Sequence, residues 1–286
     1  MSKNISYITL LQLTIISLSM VLSGCDGHEN SATAQSTQLQ GKLILTGSST
    51  VAPLANEIAK RFEAQHPGVR IDVQTGGSSR GIADCKRGTA DIGMASRALK
   101  PSESDLTAHT IAIDGVSIIL HRDNPIKSLT DKQIQDIYTG QITNWAKLGG
   151  THNPITVINK AQGRATLEVF LHHFKIKNQD IKPSVVVGEN QQAIRTVASD
   201  PNAIGYVSIG TADYEASRGI PIRLLPIDGI EATVANVRDG VFPMSRPLNF
   251  VTHGDISALA ASFIAFARSS QISDLVEAQY FVPIAQ

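Results

Sequence analysis

The segment Thr46-Gly47-Ser48-Ser49-Thr50-Val51-Ala52-Pro53 sets four hydroxyls directly ahead of a helical pattern. Leu54, Ala55, Ile58, Ala59 and Phe62 repeat at helical spacing, and Pro53 suits the first turn of that helix. Upstream, Lys42 to Thr46 reads as a buried strand. The link is therefore strand, hydroxyl loop, helix N-terminus. Unpaired backbone N–H groups and the positive end of the helix dipole meet there, so an anion can be held without a lysine or a metal. A well-capped helix with no ligand satisfies the same pattern.

Three further loops repeat the theme. Residues 75–80 carry Ser78 and Ser79, residues 95–97 carry Ser96 and Arg97, and residues 160–166 carry Lys160, Arg164 and Thr166. The segments between them alternate strand and helix. Strands are expected at 69–74, 90–95, 111–120 (interrupted at Asp114-Gly115), 155–158, 185–187, 204–208 and 248–252. Helices are expected from Ile82, Thr166, Gln191 and Ile256, and Thr130-Asp131-Lys132-Gln133 has capping-box form. This alternation predicts an α/β protein with largely parallel sheets, in which ligands sit at strand C-termini beside helix N-termini.

The chain has 286 residues, 42% hydrophobic, with 25 basic and 25 acidic side chains. A neutral balance excludes the electrostatic footprint of a nucleic-acid binder. Ile5 to Leu22 is apolar, and Leu22-Ser23-Gly24-Cys25 resembles the lipobox of bacterial lipoproteins, which implies lipidation at Cys25. Asp26 resembles the inner-membrane retention signal of enterobacterial lipoproteins. Residues 1–24 then form a signal peptide and 25–40 a polar tether. Cys85, the only other cysteine, is expected to be a small buried residue. No local zinc motif occurs, and His172-His173 are adjacent and make a poor ligand pair, so no metal site is expected.

Thr46-Gly47-Ser48-Ser49-Thr50-Val51, Gly76-Gly77-Ser78-Ser79-Arg80-Gly81-Ile82 and Asp91-Ile92-Gly93-Met94-Ala95-Ser96-Arg97 occur in that order. With Ile113-Asp114-Gly115-Val116, Tyr138 to Trp145, Ala203 to Val207 and Phe242-Pro243-Met244-Ser245-Arg246-Pro247-Leu248, they resemble the periplasmic phosphate-binding proteins of ABC importers. The resemblance runs from residue 42 to the C-terminus. It implies a two-lobed α/β periplasmic binding protein fold, with the ligand cleft between lobes and a hinge of two crossings. Lobe one would be 41–117 plus 249–286, and lobe two 118–248. It further implies a monomer without cofactor, on the periplasmic side of the envelope, that hands inorganic phosphate to an ABC permease in the inner membrane.

Carried over residue by residue, the resemblance implies ligand donors at Ser49, Thr50, the Val51 amide, Ser78, Ser96 and Thr166, with Arg97 as a bidentate donor. The fourth loop departs from the family: Lys160 stands where many members have arginine, and Arg164 where they have serine. Either Lys160 or Arg164 could replace the usual arginine. Ser96 stands where longer members carry an aspartate that accepts the proton of hydrogen phosphate and repels sulfate. Asp114 is either a substitute acceptor or the partner of an arginine in the hinge. Two other functions fit parts of the pattern. One is binding or sensing of sulfate or molybdate. The other is a serine esterase, with Gly77-Ser78-Ser79-Arg80-Gly81 as nucleophile elbow and Asp239 and His253 completing a triad.

Overall fold

The computed structural model describes residues 39–284. The expected signal peptide, Cys25 and almost all of the tether lie outside the described residues; Gln40, the last tether residue, already belongs to the first strand. In chain order the elements begin β1 (Gln40–Gly47), α1 (Ala52–Gln65), β2 (Gly68–Thr75), α2 (Ser78–Lys86), β3 (Ile92–Ala95) and β4 (Leu106–His121). Then come α3 (Asp131–Tyr138), β5 (Thr156–Lys160), α4 (Ala165–Phe174), β6 (Val185–Val187), α5 (Asn190–Ser199), β7 (Ala203–Ser208), α6 (Ile209–Ser217) and β8 (Ile222–Leu224). The chain closes with α7 (Val234–Arg238), β9 (Ser245–His253), α8 (Ala258–Ala267), α9 (Ser273–Ala278) and β10 (Val282–Pro283).

Hydrogen-bonded neighbours run β2-β1-β3-β9-β4-β7-β5-β6, with β8 and β10 both on β4. The pairings β1–β2, β1–β3, β5–β6 and β5–β7 are parallel, as the strand–helix alternation predicts. Every pairing made by β4 or β9 is antiparallel, so the sheet is mixed rather than largely parallel. Those two strands do not arise from strand–helix–strand crossovers, which is what forces parallel neighbours.

Two main cores form on either side of them. Leu45, Leu54, Ile58, Phe62, Met94, Ile111, Leu248, Phe250 and Phe263 pack in the first. Val116, Ile118, Leu120, Tyr138, Trp145, Phe170, Phe174, Tyr206 and Met244 pack in the second. The opposite sheet faces are covered too, by Ile82 and Cys85 of α2 in one case and by Ala193, Ile194 and Val197 of α5 in the other. Strand β4 supplies Ile111 and Ala112 to the first core and Val116 to the second. It runs unbroken, against the interruption expected at Asp114-Gly115: both residues stay in register, opposite Arg246 and Ser245. A carboxylate inside a strand is tolerated here because an arginine faces it.

The local signals hold where they were strongest. Thr130 caps α3, accepting from Gln133 N at 3.2 Å, while Gln133 Oε1 accepts from Thr130 N at 2.8 Å. Cys85 is buried, with Sγ 3.3 Å from the Val251 carbonyl oxygen.

Candidate functional site

The loops after β1, β2 and β3 meet the starts of α4 and α5 at a small cavity where the two cores touch. The space between its walls is about 210 Å³, part of it open to solvent, which suits a compact polyatomic group rather than an extended organic ligand. Wider grooves of about 780 Å³ lie to either side. They are larger, but the convergent polar chemistry is in the small cavity.

Backbone geometry explains why the loops come so close. Gly47 has φ 136°, and a Cβ there would lie 2.3 Å from the Met94 carbonyl oxygen. Gly77, with φ 95°, precedes α2; a Cβ there would lie 2.9 Å from both Arg164 Cδ and the Gly163 carbonyl oxygen. Only glycine adopts that backbone and leaves that gap. Ser79 N then bonds to Gly163 O at 3.2 Å, joining a first-core loop to a second-core loop. Neither α2 nor α4 has a side-chain cap, so both N-termini present their dipoles at the cavity.

Under the cavity lies Arg246, on β9. Its Nε and Nη2 donate to Asp114 Oδ2 at 3.1 and 2.9 Å. Its Nη1 donates to Ser96 Oγ at 3.3 Å and Thr166 Oγ1 at 3.0 Å, and Nη2 to Thr50 Oγ1 at 3.2 Å. All five guanidinium donors are thus matched. Asp114 Oδ1 accepts from Gly210 N at 3.2 Å. Both Asp114 oxygens are engaged, so this carboxylate holds the arginine and does not face a ligand.

The polarity of this network matters more than its size. Thr50 Oγ1 also accepts from Asn190 Nδ2 at 2.9 Å, and Ser78 Oγ accepts from Ser96 N at 3.1 Å. Thr50, Ser78, Ser96 and Thr166 are all buried and all line the cavity. Each accepts an N–H from the protein, and among the described residues none donates its own proton to a protein group. Four hydroxyl protons beside one cavity are therefore without a protein acceptor. Buried polar groups need partners, and the partner that fits is a compact anion.

Several expected donors sit elsewhere. The Val51 amide reaches Ser48 Oγ at 3.4 Å, and Thr50 N reaches the same oxygen at 3.2 Å, so Ser48 caps this turn. Ser49 lines the cavity. Arg97 does not line the cavity: Nη1 and Nη2 grip Glu103 at 2.8 Å each, and Nε lies 3.1 Å from Glu168 Oε2. Burial works against that charge, but the bonds to Glu103 and the nearby Glu168 hold its pKa above the ordinary value.

Lys160 stands one layer back. Its Nζ donates to Glu189 O at 2.9 Å and Asn190 Oδ1 at 3.3 Å, fixing the amide that reaches Thr50. Burial, with Arg246 and Arg164 nearby, lowers its pKa to about 7 against the pull of Glu189. Arg164 does line the cavity, with Nη1 paired to Glu189 Oε1 at 2.7 Å. Neither is the central guanidinium; Arg246 is. The sequence signal for it was an arginine directly ahead of an apolar strand pattern, which requires a carboxylate such as Asp114.

The esterase arrangement is not assembled. Ser79 Oγ donates to Glu168 at 3.3 Å, and His253 Nε2 lies 3.6 Å from Asp105, not beside Ser79.

A family model described as the PBP superfamily domain matches residues 32–271. The phosphate-binding protein PstS of Bacillus subtilis is 25% identical over 285 residues, covering 96% of this chain and 93% of that protein. A crystal structure from Clostridium perfringens, described as a phosphate ABC transporter substrate-binding protein with bound phosphate, is 33% identical with TM-score 0.80. It covers 86% of this chain and 100% of that one. An ABC-type phosphate transport receptor from Vibrio cholerae is 30% identical with TM-score 0.70, covering 85% and 100%. The mixed sheet, the two cores and these likenesses have one reading: the chain belongs to the PBP superfamily, with the two-lobed fold of its phosphate-transport substrate-binding proteins.

Proposed function

We propose that this protein binds inorganic phosphate in the cavity above Arg246 and delivers it to an ABC-type permease. The observation that carries this reading is the set of four buried hydroxyls whose protons have no protein acceptor. With two uncapped helix N-termini they offer charge-assisted hydrogen bonds to a tetrahedral oxyanion, and micromolar affinity needs only about 8 kcal/mol net. Thr50, Ser78, Ser96 and Thr166 make the contacts, with Ser49 and Arg164 at the wall. Arg246, its charge balanced by Asp114, fixes the hydroxyls from below; Lys160 and Arg97 act as supports. In this reading the hydroxyls donate hydrogen bonds to the anion, and the protein works as a binder.

Contacts come from both cores, so ligand favours the state in which both are present. Lobe one is 41–117 plus 249–286 and lobe two 118–248, with the hinge in β4 and β9. The chain functions outside the cytoplasm as a monomer anchored by lipid at Cys25.

One observation also favours other oxyanions: among the described residues none that lines the cavity is a carboxylate, and Glu189, whose Oε2 has no partner, lines the neighbouring groove. Ser78, Ser96 and Thr166 each keep one lone pair for the proton of hydrogen phosphate, but a hydroxyl does not repel sulfate as a carboxylate does. Calorimetry of the protein with phosphate, sulfate and molybdate tests both points. Phosphate binding is expected, with discrimination against sulfate well below the roughly 10⁴-fold that an unpaired buried group can give. Absence of phosphate heat at millimolar ligand refutes the assignment.

A further inference from the structure

Away from the anion cavity, Asp131, His173 and Asp228 bring one ligand atom each to within 4.8 Å of one another. We propose that they form a divalent-cation site of the zinc and cobalt class. They come from three distant segments, so no local spacing motif reveals them, and each has a reason to be where it is.

Asp131 opens α3, but that helix is already capped by Thr130 and Gln133, so its carboxylate is not needed there. His173 lies in the last turn of α4, its ring held edge-on to Phe174 at 4.7 Å and 89°. Asp228 and Gly229 have φ 51° and 76°, between Ile227 and Ile230, which exchange backbone bonds of 2.9 and 2.8 Å. That is a tight two-residue hairpin turn of the Asp-Gly kind, so local sequence dictates where Asp228 sits.

The polar atoms meet without satisfying one another. His173 Nε2 lies 3.2 Å from Asp131 Oδ2, an ion-pair distance, while Asp131 Oδ1 is shielded from solvent and has no hydrogen-bond partner. Two carboxylates drawn together repel unless a proton or cation lies between them. A cation accepts all three lone pairs at once and leaves positions open for water. One imidazole nitrogen with two carboxylate oxygens suits zinc-class ions; calcium and magnesium prefer oxygen donors alone.

The test uses the full chain, stripped with a chelator and dialysed into phosphate-free buffer. Co²⁺ is titrated by visible absorption and Zn²⁺ by calorimetry. One ion per chain is expected, with affinity reduced on the order of tenfold or more in both His173→Gln and Asp228→Asn, since even outer-shell partners are worth that much. Asp228 sits on an exposed turn, and unchanged phosphate affinity in Asp228→Asn establishes that this variant is folded. No stoichiometric ion, or equal affinity in Asp228→Asn and the parent, overturns the site.

Discussion

Arg97 spends both terminal nitrogens on one carboxylate, Glu103, and its Nε lies against another, Glu168. Arg246 gives one edge to Asp114 and distributes its remaining donors over Thr50, Ser96 and Thr166. Both guanidiniums are buried and both lie near the cavity. The first is neutralised by acids and serves as a strut at the rim. The second turns three hydroxyls so that their protons face inward. An arginine's role here is decided by which acceptors surround it, not by the motif in which it stands.

The contrast is broken most severely by Arg246→Ala. It leaves Asp114 buried and uncompensated, which costs about 3–5 kcal/mol of stability, and it releases the hydroxyls from their orientation. Denaturant unfolding is expected to record that loss, and calorimetry the loss of phosphate binding. Arg97→Ala is expected to lower stability too, but to change phosphate affinity by less than roughly tenfold, because rim contacts only bias closure.

Thr166→Val removes one proton donor to the ligand and, with it, one acceptor of Arg246 Nη1, with little change of shape. A hydrogen bond to a charged group is worth about 1.5–3 kcal/mol, so phosphate affinity is expected to fall roughly ten- to hundredfold. A modest fall in the unfolding midpoint is expected beside it, from the Arg246 donor left unmatched, and phosphate affinity equal to the parent's would exclude Thr166 as a ligand donor.

A smaller effect follows from Lys160. The folded protein gives up its proton near pH 7, whereas the unfolded chain keeps it until about the ordinary 10.5. Between those values the unfolded state binds more protons, so this group makes stability rise with pH. The slope is at most about 1.4 kcal/mol per pH unit. Urea unfolding between pH 7 and 9 should be steeper in pH for the parent than for Lys160→Met; parallel curves would place the lysine's proton elsewhere.

The least perturbing change is Glu168→Gln. It weakens the rim contacts to Lys100 at 2.7 Å, Ser79 at 3.3 Å and Arg97 Nε at 3.1 Å, while the amide oxygen can still accept from each, so the cost is on the order of 1 kcal/mol. Stopped-flow release of phosphate is expected to quicken a few-fold.

The hydroxyl segments, the Thr130 cap and the starts of α4 and α5 are legible in the sequence, because each is decided within a few residues; α2 begins at Ser78, a turn ahead of the expected Ile82, so Ser78 and Ser79 belong to a helix and not to a loop. The antiparallel course of β4 and β9 is not, since an isolated apolar run carries no direction. Arg246 was hidden for a related reason. Its acceptors stand at 50, 96, 114 and 166, and only the assembled sheet brings them together. Arg97 stood out because it follows Ser96 directly, yet its neutralising partner, Glu103, depends on a short turn that periodicity does not mark.

The position of β9 has a consequence in time. It lies between β3 and β4 in the sheet, yet it is Ser245–His253, near the end of the chain. Until those residues are available, β3 has a bare edge of the kind that recruits other chains. Thr50 and Arg246 are separated by 196 residues, so closing that contact belongs late in folding. The nascent chain therefore holds nearly all of the pocket's hydroxyls long before it has a pocket, and anion can rescue a slow folder only after β9 has docked.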